Sequence, residues 1–198
     1  MYELNKLKKR IVLTGGPGGG KTTAIDLLRR EFSKQIVVVP ESATMLFSGG
    51  IKRNNEPHLI KSHQQAIFNL QKNLEHIQRT EHPNRLMLCD RGSLDGLAYW
   101  PDETSDFFDC LNTDLQTELT QYDAVIFFET AAKSGQSIHS NNPVRNESDK
   151  QAILIDNKLQ AIWSQHPNFN LVKSAESFVQ KVMFGIDTIT KVMKSYEQ

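Results

Sequence analysis

The sequence predicts an α/β fold in which a parallel β-sheet is covered by helices on both faces. Near-continuous hydrophobicity is typical of strands buried on both faces, and alternation of such strands with helices is typical of parallel sheets. A chain of 198 residues suits one compact domain, so we expect residues 1–198 to form a single domain. The five apolar, largely β-branched runs are Arg10–Thr14, Ile36–Pro40, Arg85–Cys89, Tyr122–Phe128 and Phe169–Val172.

Helical periodicity fills the intervals between these runs. A helix follows the first run, and a second begins near Ser42. A capping box, in which a Ser or Thr precedes a Gln by three residues, is predicted at Thr113–Gln116 and at Ser148–Gln151. We interpret the apolar stripes as core faces; the clearest are Leu59, His63, Ile67, Leu70, Leu74 and Ile77, then Leu111, Leu115 and Leu119, and finally Phe178, Val182, Ile186, Ile189 and Met193.

Composition excludes several classes of protein. The 23 basic and 23 acidic side chains cancel, which argues against a nucleic-acid partner. No apolar run approaches the roughly 20 residues of a membrane span, and the charged first ten residues are not followed by the apolar segment of a secretory signal. Cys89 and Cys110 fit reduced thiols better than a disulfide scaffold. We therefore expect a cytoplasmic protein without membrane or nucleic-acid partners; its oligomeric state cannot be read from the sequence.

The segment after the first strand predicts a phosphate-binding loop. Gly15-Gly-Pro-Gly-Gly-Gly-Lys-Thr22 satisfies G-x-x-x-x-G-K-[ST] between a strand and a helix. Glycines let successive amides face phosphate oxygens without Cβ clashes, and the helix N-terminus adds its positive dipole end. Lys21 can reach the β- and γ-phosphates, and the Thr22 hydroxyl can ligate Mg²⁺. The residues predicted to bind the nucleotide, which we expect to be ATP, are Gly16, Pro17, Gly18, Gly19, Gly20, Lys21, Thr22 and Thr23.

A second motif closes the third strand. Leu86-Met-Leu-Cys-Asp90 is an apolar strand ending in an acid, the Walker B pattern, so Asp90 is predicted to hold Mg²⁺ together with Thr22. The alternative is an Asp that caps a helix. Arg91 stands where hydrolysing motors commonly carry a second acid, which indicates a site that holds a charged or phosphorylated group. This also argues against an AAA-type motor.

With these motifs the chain resembles the P-loop nucleoside and nucleotide kinase group. It is most similar to the small AAA-like ATPase domain family, which includes ribosylnicotinamide kinase domains and TRPL translocation defect proteins. The resemblance implies a three-layer α/β/α P-loop NTPase with a five-stranded parallel sheet in the order 2-3-1-4-5 and a mobile lid over residues 130–147. The segments that carry it are Thr14–Thr23, Pro40–Ala43, Cys89–Gly96, Phe127–Thr130, Asn142–Glu147 and Ile162–Pro167.

The resemblance also implies roles for residues outside the phosphate loop. Arg145 in the lid would neutralise charge on the transferring phosphoryl group; alternatively it pairs on the surface with Glu147 or Asp149. Glu41 would accept the proton of an acceptor hydroxyl; alternatively it begins the helix that starts near Ser42. The predicted catalytic residues are Lys21, Glu41, Asp90, Arg91 and Arg145.

Two functions remain open at this stage. The first is an ATP-dependent phosphotransferase that moves the γ-phosphoryl group to a small nucleoside- or nucleotide-like acceptor. The second is a nucleotide-dependent switch or ATPase binding module without such an acceptor. A GTP-specific switch is disfavoured because Asn157-Lys-Leu-Gln160, the nearest string to the base-reading Asn-Lys-x-Asp motif, lacks the Asp. Tyr99 and Trp100 either line an acceptor pocket or anchor the fold.

Overall fold

The fold is built on one five-stranded parallel sheet. The structure, a computed structural model, describes residues 9–135 and 148–196. With the strands numbered along the chain, their order in the sheet is 2-3-1-4-5, which confirms the predicted order. Pairing of Leu13 with Asp90 and of Thr14 with Phe127 aligns the carboxyl ends of the three central strands. The strands are β1 (Arg10–Thr14), β2 (Ile36–Val39), β3 (Leu86–Asp90), β4 (Ala124–Phe128) and β5 (Phe169–Val172).

Helices cover both faces of this sheet. Leu28 of helix Lys21–Glu31 and Ile189 of helix Phe178–Ser195 pack on one face with strand residues such as Ile126, whereas Leu159 and Trp163 of helix Asp149–Trp163 pack on the other face. This arrangement confirms the predicted three-layer α/β/α class. The helices are α1 (Lys21–Glu31), α2 (Ser42–Ser48), α3 (Pro57–Glu81), α4 (Thr104–Leu111), α5 (Leu115–Leu119), α6 (Asp149–Trp163) and α7 (Phe178–Ser195), with 3₁₀ segments at Ser93–Tyr99 and Ala131–Ser134.

One of the two predicted capping boxes is wrong. The helix expected through Leu111 and Leu119 is divided into α4 and α5, because Asn112 adopts a left-handed φ of 49° and ends α4. The side chain of Asp114 then accepts from the Thr117 amide and begins α5. The box at Ser148–Gln151 is confirmed, since both of its hydrogen bonds are present at the start of α6.

The buried face of α3 also differs from the prediction. Its buried residues are Gln64, Phe68, Gln71 and Glu75, whereas the predicted apolar stripe is only partly buried and Ile77 is 44% exposed. Around Gln71 and Glu75 the neighbouring elements offer hydrogen-bond partners, which accounts for these two buried polar positions. Glu75 accepts from the Tyr122 hydroxyl (2.9 Å) and from an Arg10 guanidinium nitrogen (2.6 Å). The apolar residues of α3 flank this polar strip.

The segment predicted as a lid lies only partly within the described residues. Ala131–Ser134 forms a 3₁₀ turn directly after β4, and Thr130 accepts from the Ala132 amide at its start. Residues 136–147, including Arg145, lie outside the described residues, so the lid and the role of Arg145 stay predictions. In the described part of the chain, no helix combines the length and the apolar character that crossing a bilayer requires.

Candidate active site

The predicted phosphate loop joins the carboxyl end of β1 to the start of α1. Gly18 and Gly20 have left-handed φ values of 71° and 92°, and Gly20 is the N-cap residue of α1. The first amides of a helix have no intrahelical acceptor and carry the positive end of its dipole. Gly18 and Gly20 are partly exposed, and Thr22 and Thr23 are exposed. The loop therefore presents this amide end to solvent, where phosphates could reach it.

The remaining glycines of the loop are required by its own packing. A Cβ on Gly15 would lie 2.0 Å from the Phe128 carbonyl oxygen, and one on Gly19 would lie 2.8 Å from the same atom. A Cβ on Gly16 would lie 2.7 Å from Oδ1 of Asp156. At these three positions residues of β4 and α6 leave no room for a Cβ atom, whether or not a phosphate lies close to the loop. The loop is thus seated on the protein before a nucleotide binds.

Lys21 lies inside the loop. The residue is only 2% exposed, and its ammonium group donates to the carbonyls of Gly15 (2.9 Å) and Gly16 (2.8 Å). The Nη1 atom of Arg91 donates to the same Gly15 carbonyl at 2.6 Å. Two cationic side chains therefore meet at the base of the loop, and this positive charge suits a polyphosphate.

Asp90 and Thr22 lie side by side, as the metal prediction requires. The Thr22 hydroxyl donates to Oδ2 of Asp90 at 3.1 Å. Oδ1 of Asp90 is buried and has no hydrogen-bond partner among residues 9–135 and 148–196. Burial, together with the charge of Glu41, raises the pKa of Asp90 to about 6. A buried carboxylate oxygen without a donor, next to a hydroxyl, fits a hard divalent cation such as Mg²⁺. Asp90 does not act as the alternative helix cap, because Gly92 is the N-cap residue of the following 3₁₀ segment.

Arg91 connects the loop to the acidic side chains around it. Its Nε donates to Oε1 of Glu41 and its Nη1 to Oδ2 of Asp95, each at 3.1 Å. Burial would lower the pKa of Arg91, but Asp95 and Glu41 raise it well above its ordinary value, so the guanidinium stays charged. Its φ of 82° lies in a region that side chains rarely adopt. Such strain is typically found at functional sites.

Glu41 faces Arg91 and does not cap α2 through a hydrogen bond. It occupies the N-cap position, but its side chain accepts no hydrogen bond from the amides of that helix. Instead Oε1 accepts from Arg91, and Oε2 accepts from the Thr44 hydroxyl at 2.5 Å. The carboxylate is thus oriented by two donors, at the edge of the cleft described next.

A cleft, partly open to solvent, lies between α2, α3 and the 3₁₀ segment Ser93–Tyr99. Gln64 is only 8% exposed, and it lines the cleft. Tyr99 lines the cleft, and its role in binding an acceptor stays a prediction. Trp100 is buried against Phe107 with its Nε1 donating to Asp106 at 2.9 Å, and so anchors the fold. The main side chains around the cleft are Pro17, Glu41, Phe47, Gln64, Ile67, Arg91 and Tyr99.

Several polar residues of this site carry no sequence motif. Gln71 donates to the Arg91 carbonyl (3.2 Å) and accepts from the Ser42 hydroxyl (2.6 Å), which ties the start of α2 to the end of β3. Asp95 accepts from Thr14 and from the Trp163 indole, each at 2.8 Å. For Gln71 the sequence signal is the presence of polar side chains on one face of α3, where an apolar stripe would be expected; Asp95 lies within the segment Cys89–Gly96 that carries the resemblance.

The structure brings most of the predicted site residues to the carboxyl edge of the sheet. Lys21, Thr22, Glu41, Asp90 and Arg91 are linked to the loop or to one another through the contacts above. The fold and this site define a P-loop protein with the fold of nucleoside and nucleotide kinases.

The chain belongs to the AAA domain family, because a family model with the description "AAA domain" matches residues 10–179. No curated protein sequence matches the chain.

Solved structures of two kinases share the fold. Deoxyadenosine kinase from M. mycoides with bound dATP is 13% identical with a TM-score of 0.59, over 92% of this chain and 99% of that chain. The same enzyme with the products dCMP and a flexible dCDP is 14% identical with a TM-score of 0.60, over 94% and 99%. Thymidylate kinase from Ehrlichia chaffeensis is 14% identical with a TM-score of 0.61, over 95% and 99%. At these identities the likeness shows the fold alone.

Proposed function

We propose that this chain is an ATP-dependent kinase that transfers the γ-phosphoryl group of ATP to a hydroxyl group of a small nucleoside-like acceptor. The observation that carries the proposal is the cleft that opens directly beside the phosphate loop and holds the oriented carboxylate of Glu41. Pro17 belongs both to the loop and to the wall of the cleft. Donor phosphates and an acceptor in the cleft would therefore be neighbours.

The donor side supports phosphoryl transfer by positioning and charge. The amides of residues 18–23 would bind the phosphates, and Lys21 would exchange its carbonyl partners for phosphate oxygens. Asp90 and Thr22 would hold Mg²⁺, which in phosphoryl transfer neutralises charge on the β- and γ-phosphates. Arg91 lies between the loop and the cleft and would help to orient both substrates. Arg145, outside the described residues, is proposed to add a further cation.

The acceptor side favours a hydroxyl on a planar, hydrogen-bonding molecule. Glu41, held by Arg91 and Thr44, is the proposed base for the acceptor proton. The side-chain amide of Gln64, which lines the cleft, carries one acceptor and two donors and could bind the edge of a nucleobase. Phe47 and Tyr99 provide aromatic surface beside it. A nucleotide-like acceptor is the second possibility, since Arg53 also lines the cleft.

Acceptor-dependent release of ADP tests this function. Purified protein is incubated with Mg·ATP and a panel of nucleosides and nucleotides, and mass spectrometry identifies any acceptor that gains one phosphate. Glu41→Gln should lower turnover by about 10²-fold or more while ATP still binds. Glu56→Gln, at the exposed N-cap residue of α3, is the matched control and should leave turnover unchanged. Full activity of Glu41→Gln would exclude it as the base.

The alternative function is a nucleotide-dependent switch or ATPase module. The family description as an AAA domain supports ATP use without specifying an acceptor. In that case the panel would give no acceptor-dependent ADP release, although ATP would bind and Lys21→Ala would abolish binding. The two functions thus differ in one measurement, the stimulation of ADP release by an acceptor.

A further inference from the structure

Asp156 is a fully buried carboxylate that holds the phosphate loop from a distant helix. It lies in α6 with 0% exposure. Its Oδ1 accepts from the amide of Gly16 at 2.7 Å and from the amide of Thr130 at 2.9 Å. One oxygen atom therefore joins the segments that follow β1 and β4, which are neighbouring strands of the sheet.

Further contacts tighten this junction. The Thr130 hydroxyl donates to the Pro17 carbonyl at 2.6 Å, so Thr130 binds the loop as well as Asp156. Lys133 forms an ion pair with Oδ2 of Asp156 at 2.7 Å. Because a Cβ on Gly16 would lie 2.7 Å from Oδ1, the loop approaches Asp156 as closely as glycine allows. The loop thus has a fixed point two residues before its exposed amides begin at Gly18.

We propose that Asp156 is a positioning residue for nucleotide binding: it fixes Gly16 and Pro17 so that the following amides are already arranged when phosphate arrives. A loop without this contact would leave two buried amides unpaired and would have to be ordered by the nucleotide itself, which weakens binding. The inference rests on the nucleotide-binding part of the proposed function and does not depend on the acceptor. It assigns a role to a residue outside the loop motif.

The test compares two substitutions of Asp156 by calorimetric titration with Mg·ATP, below the melting temperature of each variant. Asp156→Ala should weaken ATP binding by about tenfold or more. The loop conformation that binds ATP would then contain buried amides without acceptors, which raises its free energy. Asp156→Asn should lose clearly less affinity than Asp156→Ala, since its side-chain oxygen can still accept both amides, although its NH₂ group replaces the oxygen that pairs with Lys133. Asp149→Ala, at an exposed carboxylate on the same helix, is the matched control and should bind ATP as the wild type does.

The outcomes separate the inference from the proposed function. If the wild type itself does not bind ATP, the proposed function fails. If the wild type binds and a folded Asp156→Ala binds equally well, or if Asn loses as much affinity as Ala, the positioning role is wrong. A purely structural role would lower the melting temperature without this difference between Ala and Asn. Should Asp156→Ala not fold, Thr130→Val removes the bond to Pro17 and is expected to weaken ATP binding severalfold; unchanged affinity would overturn the inference.

Discussion

Replacing Asp90 by asparagine should stabilise the protein without ligand, although it removes a proposed metal ligand. The pKa of Asp90 is raised from 3.8 to about 6 in the folded protein. The folded state therefore binds this proton more tightly than the unfolded state does. As pH rises from about 4 to 6, the folded state loses this advantage, and the free energy of unfolding of the wild type decreases. Asp90→Asn has no such proton and should not show the decrease.

The magnitude follows from the shift of the pKa. The rise of about two units in the pKa of Asp90 corresponds to at most about 3 kcal/mol of unfolding free energy, at about 1.36 kcal/mol per unit. The asparagine oxygen can still accept from the Thr22 hydroxyl, so the existing hydrogen bond is kept. The stabilisation of Asp90→Asn over the wild type should be complete above about pH 6 and absent below about pH 4.

Urea unfolding at a series of pH values between 4 and 8 measures this difference. Asp26→Asn, an exposed position on α1, is the control and should follow the wild type throughout. A difference between Asp90→Asn and wild type that does not change with pH would refute the electrostatic reasoning. Addition of Mg·ATP should reverse the order, because the stabilisation by ligand grows with the logarithm of its concentration over Kd and the variant, without the proposed metal-binding carboxylate, has the larger Kd.

Three further predictions concern the loop, the cleft and the packing of α7. Lys21→Ala should lower turnover by about 10²-fold or more, because one cation at the phosphates is lost; unchanged ATP affinity and turnover would exclude the loop as the binding site. Gln64→Leu should raise the acceptor KM by about tenfold with little change in the KM for ATP, since one side-chain hydrogen-bonding group in the cleft is lost. Gly185→Ala should destabilise the protein by about 1–3 kcal/mol in thermal unfolding, because its Cβ would lie 2.4 Å from ring atoms of Phe128; an unchanged melting temperature would contradict the packing described.

The strands were predictable because strands that are buried on both faces appear in the sequence as near-continuous hydrophobic runs. Each predicted run overlaps its observed strand with an error of at most two residues, as in Tyr122–Phe128 against Ala124–Phe128. Helix α3 was harder because its buried polar residues and its partly exposed apolar residues share the same helical period. The division at Asn112 was also missed, since Thr113 and Asp114 both offer capping oxygens and only the local backbone decides between them.

The site was predictable where its chemistry is contiguous in the chain. Gly15–Thr22 forms one motif, and Asp90 and Arg91 follow a recognisable strand. The contacts of Gln71 and Asp156 could not be inferred in this way, because their partners are far away in sequence. Gly16 and Asp156 are 140 positions apart, and neither residue indicates the other. Such pairs are defined only when the sheet order brings β1, β4 and α6 together.

The position of Lys21 determines what a measured nucleotide affinity means for this protein. Its ammonium already has two oxygen partners at Gly15 and Gly16, so phosphate has to displace an internal ligand before it gains this contact. The contribution of Lys21 to the binding free energy is therefore a difference: its ammonium gains an interaction with phosphate and loses its hydrogen bonds to the Gly15 and Gly16 carbonyls. A substitution that weakens the hydrogen bonds from Lys21 to these carbonyls changes the free energy of the protein without nucleotide. It can therefore alter the affinity without contacting the nucleotide.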